Sequence, residues 1–191
     1  MSSRQGRLFV ISGPSGVGKD ALIEKLVALD PNLERSVSYT TRRPRPTEKE
    51  GIAYSFVSRD EFESLVERGE FLEHATYDGN MYGTSARRVE ALRSAGHDVI
   101  LKIDVKGAEQ VRQRLPDATF IFLAPPSMQE LIRRTTQRQT ESAEERSARQ
   151  MIAETEMTFA PHYDHVVVND DLDRAVGEVL AIIQGARERH T

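Results

Sequence analysis

Residues 13–20 read GPSGVGKD. Positions 13 to 19 follow the phosphate-loop pattern G-x-x-x-x-G-K-[ST], and position 20 departs from it. Asp20 stands where the pattern has a Ser or Thr hydroxyl for a magnesium ion. Gly13, Gly16 and Gly18 let the chain curl so that backbone N–H groups converge on phosphate oxygens. Pro14, Ser15 and Val17 complete the cradle, and Lys19 adds a mobile positive charge for the outer phosphates. The flanks agree with this reading. Arg7–Ser12 (RLFVIS) reads as a short buried strand, and ALIEKLVAL repeats apolar residues at helical spacing. A strand, a Gly-rich turn and a helix in this order aim the helix's positive end at a bound anion. A Gly-rich turn with a merely solvated lysine is the plainer alternative, and it does not call for that order.

The altered position has a cost. A carboxylate is a stronger hard ligand for magnesium than a hydroxyl, but it brings negative charge to the triphosphate. Compensation is therefore expected, from the metal or from a nearby cation.

The chain's 191 residues suit one domain with a small insertion. With 38% hydrophobic and 29% charged residues it reads as a soluble globular protein rather than a disordered one. A net charge of −4 gives no support to a general nucleic-acid binder. The absence of cysteine rules out disulfides and Cys-based zinc sites, and fits a cytoplasmic protein. The start, MSSRQGRLFVISG, has too short an apolar run for a signal peptide, and no stretch approaches the length of a membrane span, so no membrane association is expected.

Between about Ser36 and Ser85 the character changes. VSYTTRRPRPTEKEG is polar and basic, and Pro44 and Pro46 exclude a long helix. AYSFVS alternates like a strand. Ser58 is placed to cap a helix over RDEFESLVER, with Glu61 three residues on and Gly69 at its end. EFLEHATYDGNMYGT predicts two strands around an Asp-Gly turn. An α/β alternation then returns. TSARRVEALRSAG is a helix, DVILKID a strand, VKGAEQVRQRL a helix and ATFIFLA a strand. SMQELIRRTTQRQ and EERSARQMIAETEMTF are helices, HVVVND a strand, and LDRAVGEVLAIIQGARER a terminal helix. The pattern predicts an α/β fold with a parallel sheet covered on both faces.

SVSYTTRRPRPTEKEGIAYSFVSRDEF, FLEHATYDGNMYGT, ILKIDVKGAEQV, FIFLAPPS and VVVNDD, in this order, resemble guanylate kinases, and the likeness runs from about Arg7 to the terminal helix. The resemblance implies a three-layer P-loop NTPase core at 1–35, 86–135 and 150–191, a GMP-binding insertion at 36–85 and a helical lid at 136–149, in a single domain over 1–191. It also implies transfer of the γ-phosphoryl of ATP to GMP, with Mg2+ accompanying ATP.

By the same resemblance, Ser38, Arg42, Arg45, Tyr54, Glu73, Tyr82 and Thr84 fall where the family binds GMP. Arg forks suit phosphate, and tyrosine hydroxyls add donors. Glu73 and Asp104 look like guanine readers, aided by Ser38 and Thr84. Guanine offers N1–H and N2–H donors that a carboxylate accepts, whereas adenine presents an unprotonated N1. Asp104 is equally a candidate for the metal shell, as is Asp20. Arg134, Arg138 and Arg149 match lid arginines that stabilise the moving phosphoryl group, and Lys19 and Arg42 join them as catalytic candidates. Asn169 matches an ATP-binding position near adenine. Taken singly, these residues are also compatible with a solvated helical face, an exposed strand carboxylate or a turn.

Two departures from the family pattern stand out beside Asp20. The lid reads Arg138-Gln139-Thr140-Glu141, without the family's glycine. The strand before Asp104 reads Leu101-Lys102-Ile103-Asp104, with Lys102 where the family has an acid. A charge exchange is the hypothesis. Asp20 pairs with Lys102, or takes a metal contact while Lys102 offsets its charge. The alternative is two unrelated changes with Lys102 in solvent. Two other functions remain open at this point. Ribose 1,5-bisphosphate phosphokinases of this fold can also carry G-K-D, and guanylate-kinase-like domains can serve as non-catalytic binding modules. Oligomeric state is not legible.

Overall fold

The computed structural model describes residues 4–77, 79–136 and 143–189, with the side chains of 135, 136, 143–146 and 149 outside that description. Strand β1 (Leu8–Ser12) leads to helix α1 (Lys19–Leu29), followed by β2 (Leu33–Arg35), β3 (Tyr39–Thr40) and β4 (Ser55–Phe56). Then come α2 (Arg59–Glu67), β5 (Phe71–Tyr77), β6 (Asn80–Ser85), α3 (Ala86–Ser94), β7 (Asp98–Lys102) and α4 (Val105–Arg114). The chain continues through β8 (Thr119–Ala124), α5 (Met128–Thr136) and α6 (Ala143–Met157). A 3-10 turn (Ala160–His162), β9 (His165–Val168) and α7 (Leu172–Glu188) complete it.

These elements form two compact units. The first comprises Met1–Leu8, Asn32–Leu101 and Lys106–Ala118, and it contains the whole of the segment 36–85. Here β2 and β7 pair in parallel, with Leu33 opposite Asp98. Asp98 is fully buried, and its carboxylate accepts from the Arg4 guanidinium at 2.8 and 3.0 Å and from the Arg7 N–H at 2.7 Å. A second sheet runs β4-β3-β6-β5. Phe62 and Leu65 of α2 pack with Phe71 of β5, and Tyr39, Val57, Val66 and Met81 close round them. The helix α2 begins where the sequence predicts, since the Ser58 hydroxyl accepts from the Glu61 N–H at 3.2 Å. The hairpin also forms. Tyr77 pairs with Asn80, and Gly79 takes φ 72°, a conformation open to glycine. Its partner in the turn, Asp78, lies outside the described residues.

The second unit comprises Phe9–Pro31, Lys102–Val105 and Thr119–Thr191. Strands β1, β8 and β9 pair in parallel, with Phe9 opposite Thr119 and Ile121 opposite His165. All five residues of β1 are buried, which explains an unbroken apolar run rather than an alternating one. On α7 the buried residues are Ala175, Val176, Val179, Ile183 and Ala186, one face of a helix, and α7 packs on α1. Val105, Phe122 and Ala124 form a core against which Met157, Phe159, Ala160 and Tyr163 pack.

The α/β class is as expected, while several boundaries differ. AYSFVS yields a strand only at Ser55–Phe56. The strand predicted over DVILKID stops at Lys102, which leaves Asp104 in the short link to α4. The strand β9 ends at Val168, and α6 ends at Met157, two residues before Phe159. Strands β2 and β3 have no counterpart in the expectation, because three and two residues are too few for a periodicity to show.

Candidate active site

Gly13, Gly16 and Gly18 all have positive φ, at 144°, 84° and 103°. At Gly13 the need is also steric, since a Cβ would run into the Leu123 carbonyl of the neighbouring strand β8. The Lys19 ammonium folds back over the loop and donates to the carbonyls of Gly13 and of Pro14, the latter at 3.0 Å. Burial lowers its pKa from 10.5 to about 8, and Lys102 pushes it the same way, while Glu156, Asp20 and Asp104 hold it up. A loop carbonyl and a phosphate oxygen are equivalent acceptors for this ammonium. Lys19 can therefore exchange one for the other with little movement of its stem.

Asp20 lies in the first turn of α1, where a negative charge is favoured by the helix dipole. Its Oδ1 accepts from the Lys102 ammonium at 2.6 Å. Lys102 is therefore turned into the site rather than to solvent, and its side chain is 18% exposed against 62% for Asp20. Asp104 belongs to the same electrostatic group, acting on Lys19 and on Glu156. Among the described residues there is no cluster of three or more His, Cys, Asp or Glu side chains able to cage a metal ion. One accessible carboxylate at the head of α1 fits an ion that takes its other ligands from phosphate and water, as magnesium does.

A side chain from later in the chain braces the loop. The buried Asn169 amide donates to the Val17 carbonyl at 2.7 Å, and its backbone carbonyl accepts from Arg134 at 3.0 Å. Arg134 is also held by Glu130 at 2.8 Å. Arg133 and Arg134 together pull the Glu130 carboxyl down to about 2. Glu156 lies in the last turn of α6, and burial raises its carboxyl pKa while the Lys19 charge opposes that rise. Of the other lid candidates, Arg138 lies outside the described residues, and Arg149 falls on α6 with its side chain outside them.

The acceptor candidates form two groups in the first unit. Glu73 and Thr84 face each other across β5 and β6, and the Thr84 hydroxyl donates to Glu73 Oε1 at 2.6 Å. Both are buried, at 4% and 0% exposure, so a carboxylate has been taken out of water and given a fixed orientation. The second group centres on Arg42. Its guanidinium grips Glu48 through two bonds of 2.8 and 3.0 Å and sits 5.5 Å from the Tyr54 ring centre. Tyr54 and Tyr82 meet edge to face at 6.0 Å. Arg45 is exposed and joins through its backbone N–H, which donates to Glu48 at 2.8 Å. Ser38 is half-buried, and its carbonyl accepts from the Ser55 N–H. Of the two expected guanine readers, Glu73 thus lies in the first unit and Asp104 in the second.

The family model for guanylate kinase matches residues 5–186. The guanylate kinase of Alkalilimnicola ehrlichii is 48% identical over 184 residues, covering 96% of this chain and 91% of its own. That of Neisseria gonorrhoeae is also 48% identical, covering 96% and 90%. The crystal structure of guanylate kinase from Anaplasma phagocytophilum superposes with a TM-score of 0.79 at 34% identity, over 98% of this chain and 89% of the other. The chain belongs to the guanylate kinase family. As a member of that family it has the α/β P-loop fold. Two carboxylates that sequence reasoning passes over stand among the guanylate-kinase positions. Glu48 fills the Arg42 fork, and its only signal is a place three residues after Arg45. Glu156 acts on the Lys19 charge from α6 and carries no signal at all.

Proposed function

We propose that the protein transfers the γ-phosphoryl group of ATP to GMP. A phosphate oxygen of GMP forms the new bond to Pγ, the bond from Pγ to the β,γ-bridging oxygen breaks, and GDP and ADP result. Membership of the guanylate kinase family supports this reading, and the buried pair of Glu73 and Thr84 carries the choice of acceptor. A carboxylate held in this way accepts from two adjacent guanine donors, and a sugar phosphate has no such edge to offer.

On the donor side, Gly13 to Lys19 would cradle the phosphates, and Arg134 with Arg138 and Arg149 would offset charge on the moving group. On the acceptor side, Arg42, Arg45, Tyr54 and Tyr82 would hold the GMP phosphate, for which Glu48 now stands in as the anion in the Arg42 fork. Mg2+ with ATP would neutralise phosphate charge, and Asp20 would supply a protein oxygen to it, with Asp104 close in electrostatic terms. The reading assigns the protein to the cytoplasm. Among the described residues, no helix is long and apolar enough to cross a membrane.

The test is turnover. Purified protein with Mg-ATP is offered GMP, AMP, UMP or ribose 1,5-bisphosphate, and ADP release is followed. GMP should be used far better than the others. Turnover of another acceptor without GMP turnover would overturn the assignment.

A further inference from the structure

Glu73 owes its place to an irregularity in β5. Phe71 pairs with Ser85 but Glu73 with Thr84, so β5 advances two residues while β6 advances one. Leu72 is the extra residue of a β-bulge. In an unbroken register Glu73 would stand opposite Gly83, which instead faces His74. Neighbouring residues of a strand point to opposite faces, so a slip of one residue turns a side chain over. The face of Gly83 is apolar and filled. Phe71, Tyr39 and Met81 pack there with Phe62 and Leu65 of α2, and a Cβ on Gly83 would run into the Phe71 and Phe62 rings. The opposite face carries Thr84 and, two residues before it, Tyr82. The bulge therefore moves Glu73 off the α2 core and onto the face of Thr84 and Tyr82.

Among the described residues β5 is the end strand of its sheet, with β6 on one side. On its other side α4 takes the place of a further strand. The His74 N–H donates to Gln110 Oε1 at 3.2 Å, and Gln110 Nε2 donates to the His74 carbonyl at 2.9 Å, the paired contacts that a neighbouring strand would make. Four residues on, along the same face of α4, the Arg114 guanidinium donates to the Phe71 carbonyl. The two side chains hold β5 just before the bulge and just after Glu73, all within the first unit. We infer that Gln110 is a positioning residue for acceptor recognition, one that locks the register in which Glu73 faces the base. It acts through Glu73 rather than on the acceptor. A carboxamide suits the task because it carries a donor and an acceptor together. This inference rests on the proposed reading of guanine by Glu73 and Thr84, and it deepens that reading.

The experiment places Gln110→Ala and Gln110→Glu in the unaltered protein and in Glu73→Gln. The ratio of kcat/KM for GMP to that for AMP is measured, with KM for ATP beside it. Gln110→Ala should lower the ratio by about tenfold through a higher KM for GMP, while KM for ATP stays within about twofold. Gln110→Glu keeps the bond from the His74 N–H and should lose only about threefold. It also keeps the size of the side chain, so it carries the comparison if the alanine variant does not fold. In Glu73→Gln neither change should lower the ratio further, because no carboxylate is left to position. An unmoved ratio, an equal rise in KM for ATP, or the same fold loss with and without Glu73 would each overturn the role of Gln110. A failure of the underlying reading looks different. Glu73→Gln alone would then leave the ratio where it was, and the role of Gln110 in acceptor choice would fall with it.

Discussion

The Lys102 ammonium lies 2.6 Å from Asp20 Oδ1. Two of the three departures from the family pattern, Asp20 and Lys102, are therefore in contact. Because Asp20 is largely exposed, the pair contributes only about 0–1 kcal/mol to folding, and its effect falls on the phosphates. Asp20→Ser leaves Lys102 as an extra cation beside Lys19, and Lys102→Asp sets two carboxylates together. Each change should cut kcat/KM for ATP. The double variant should recover much of it, with a coupling of at least ~1 kcal/mol. Strictly additive losses would sink the idea of an exchanged pair.

The buried Glu73 makes a prediction about choice. Glu73→Gln places an amide donor against guanine's donors, so kcat/KM for GMP should fall by roughly 100-fold while that for AMP falls little. Competition between the two acceptors measures the ratio directly. A ratio that does not move would remove Glu73 from base recognition.

A pH dependence follows from Glu48. The Arg42 guanidinium holds its carboxyl below the ordinary 4.5. A group lowered on folding contributes stability that is present above its unfolded pKa and is lost as pH falls through its folded one. Glu48→Gln should therefore lower Tm near neutral pH, and the gap to the unaltered protein should close below about pH 4.5. A gap that stays constant down to about pH 3 would assign the loss to packing instead.

Gly13→Ala tests the loop's steric basis. The new Cβ meets the Leu123 carbonyl at a φ of 144°, beside the pairing of Ser12 with Phe122. A loss of about 1–3 kcal/mol is expected, together with weakened ADP binding. At this chain length that is on the order of 2–4 °C in Tm per kcal/mol, measurable in a thermal melt. An unchanged melt with unchanged binding would mean that β8 yields to the methyl group.

What can be read from the sequence follows the way each feature is built. The phosphate loop is legible because contiguous residues and their backbone angles carry it, as Gly13, Gly16 and Gly18 show. The cap at Ser58 and the turn at Gly79 are legible for the same reason. The contact of Asp20 with Lys102 is within reach only through comparison with a family pattern, since 82 residues separate the two. The carboxylates Glu48 and Glu156 are hidden. A single glutamate on a polar stretch or helix looks like surface, and only the fold reveals that its charge is spent on Arg42 or set against Lys19. Asn169 reads as a nucleotide contact or a turn residue, and the fold adds that its amide donates to Val17.

That commitment bears on how the protein is made. Val17 and Asn169 are 152 residues apart, and β1 finds its neighbour β8 only after more than half the chain. A ribosome delivers the loop early and its brace late. The nascent loop therefore spends most of synthesis without the amide that shapes it, and nucleotide binding should arise among the last events of folding.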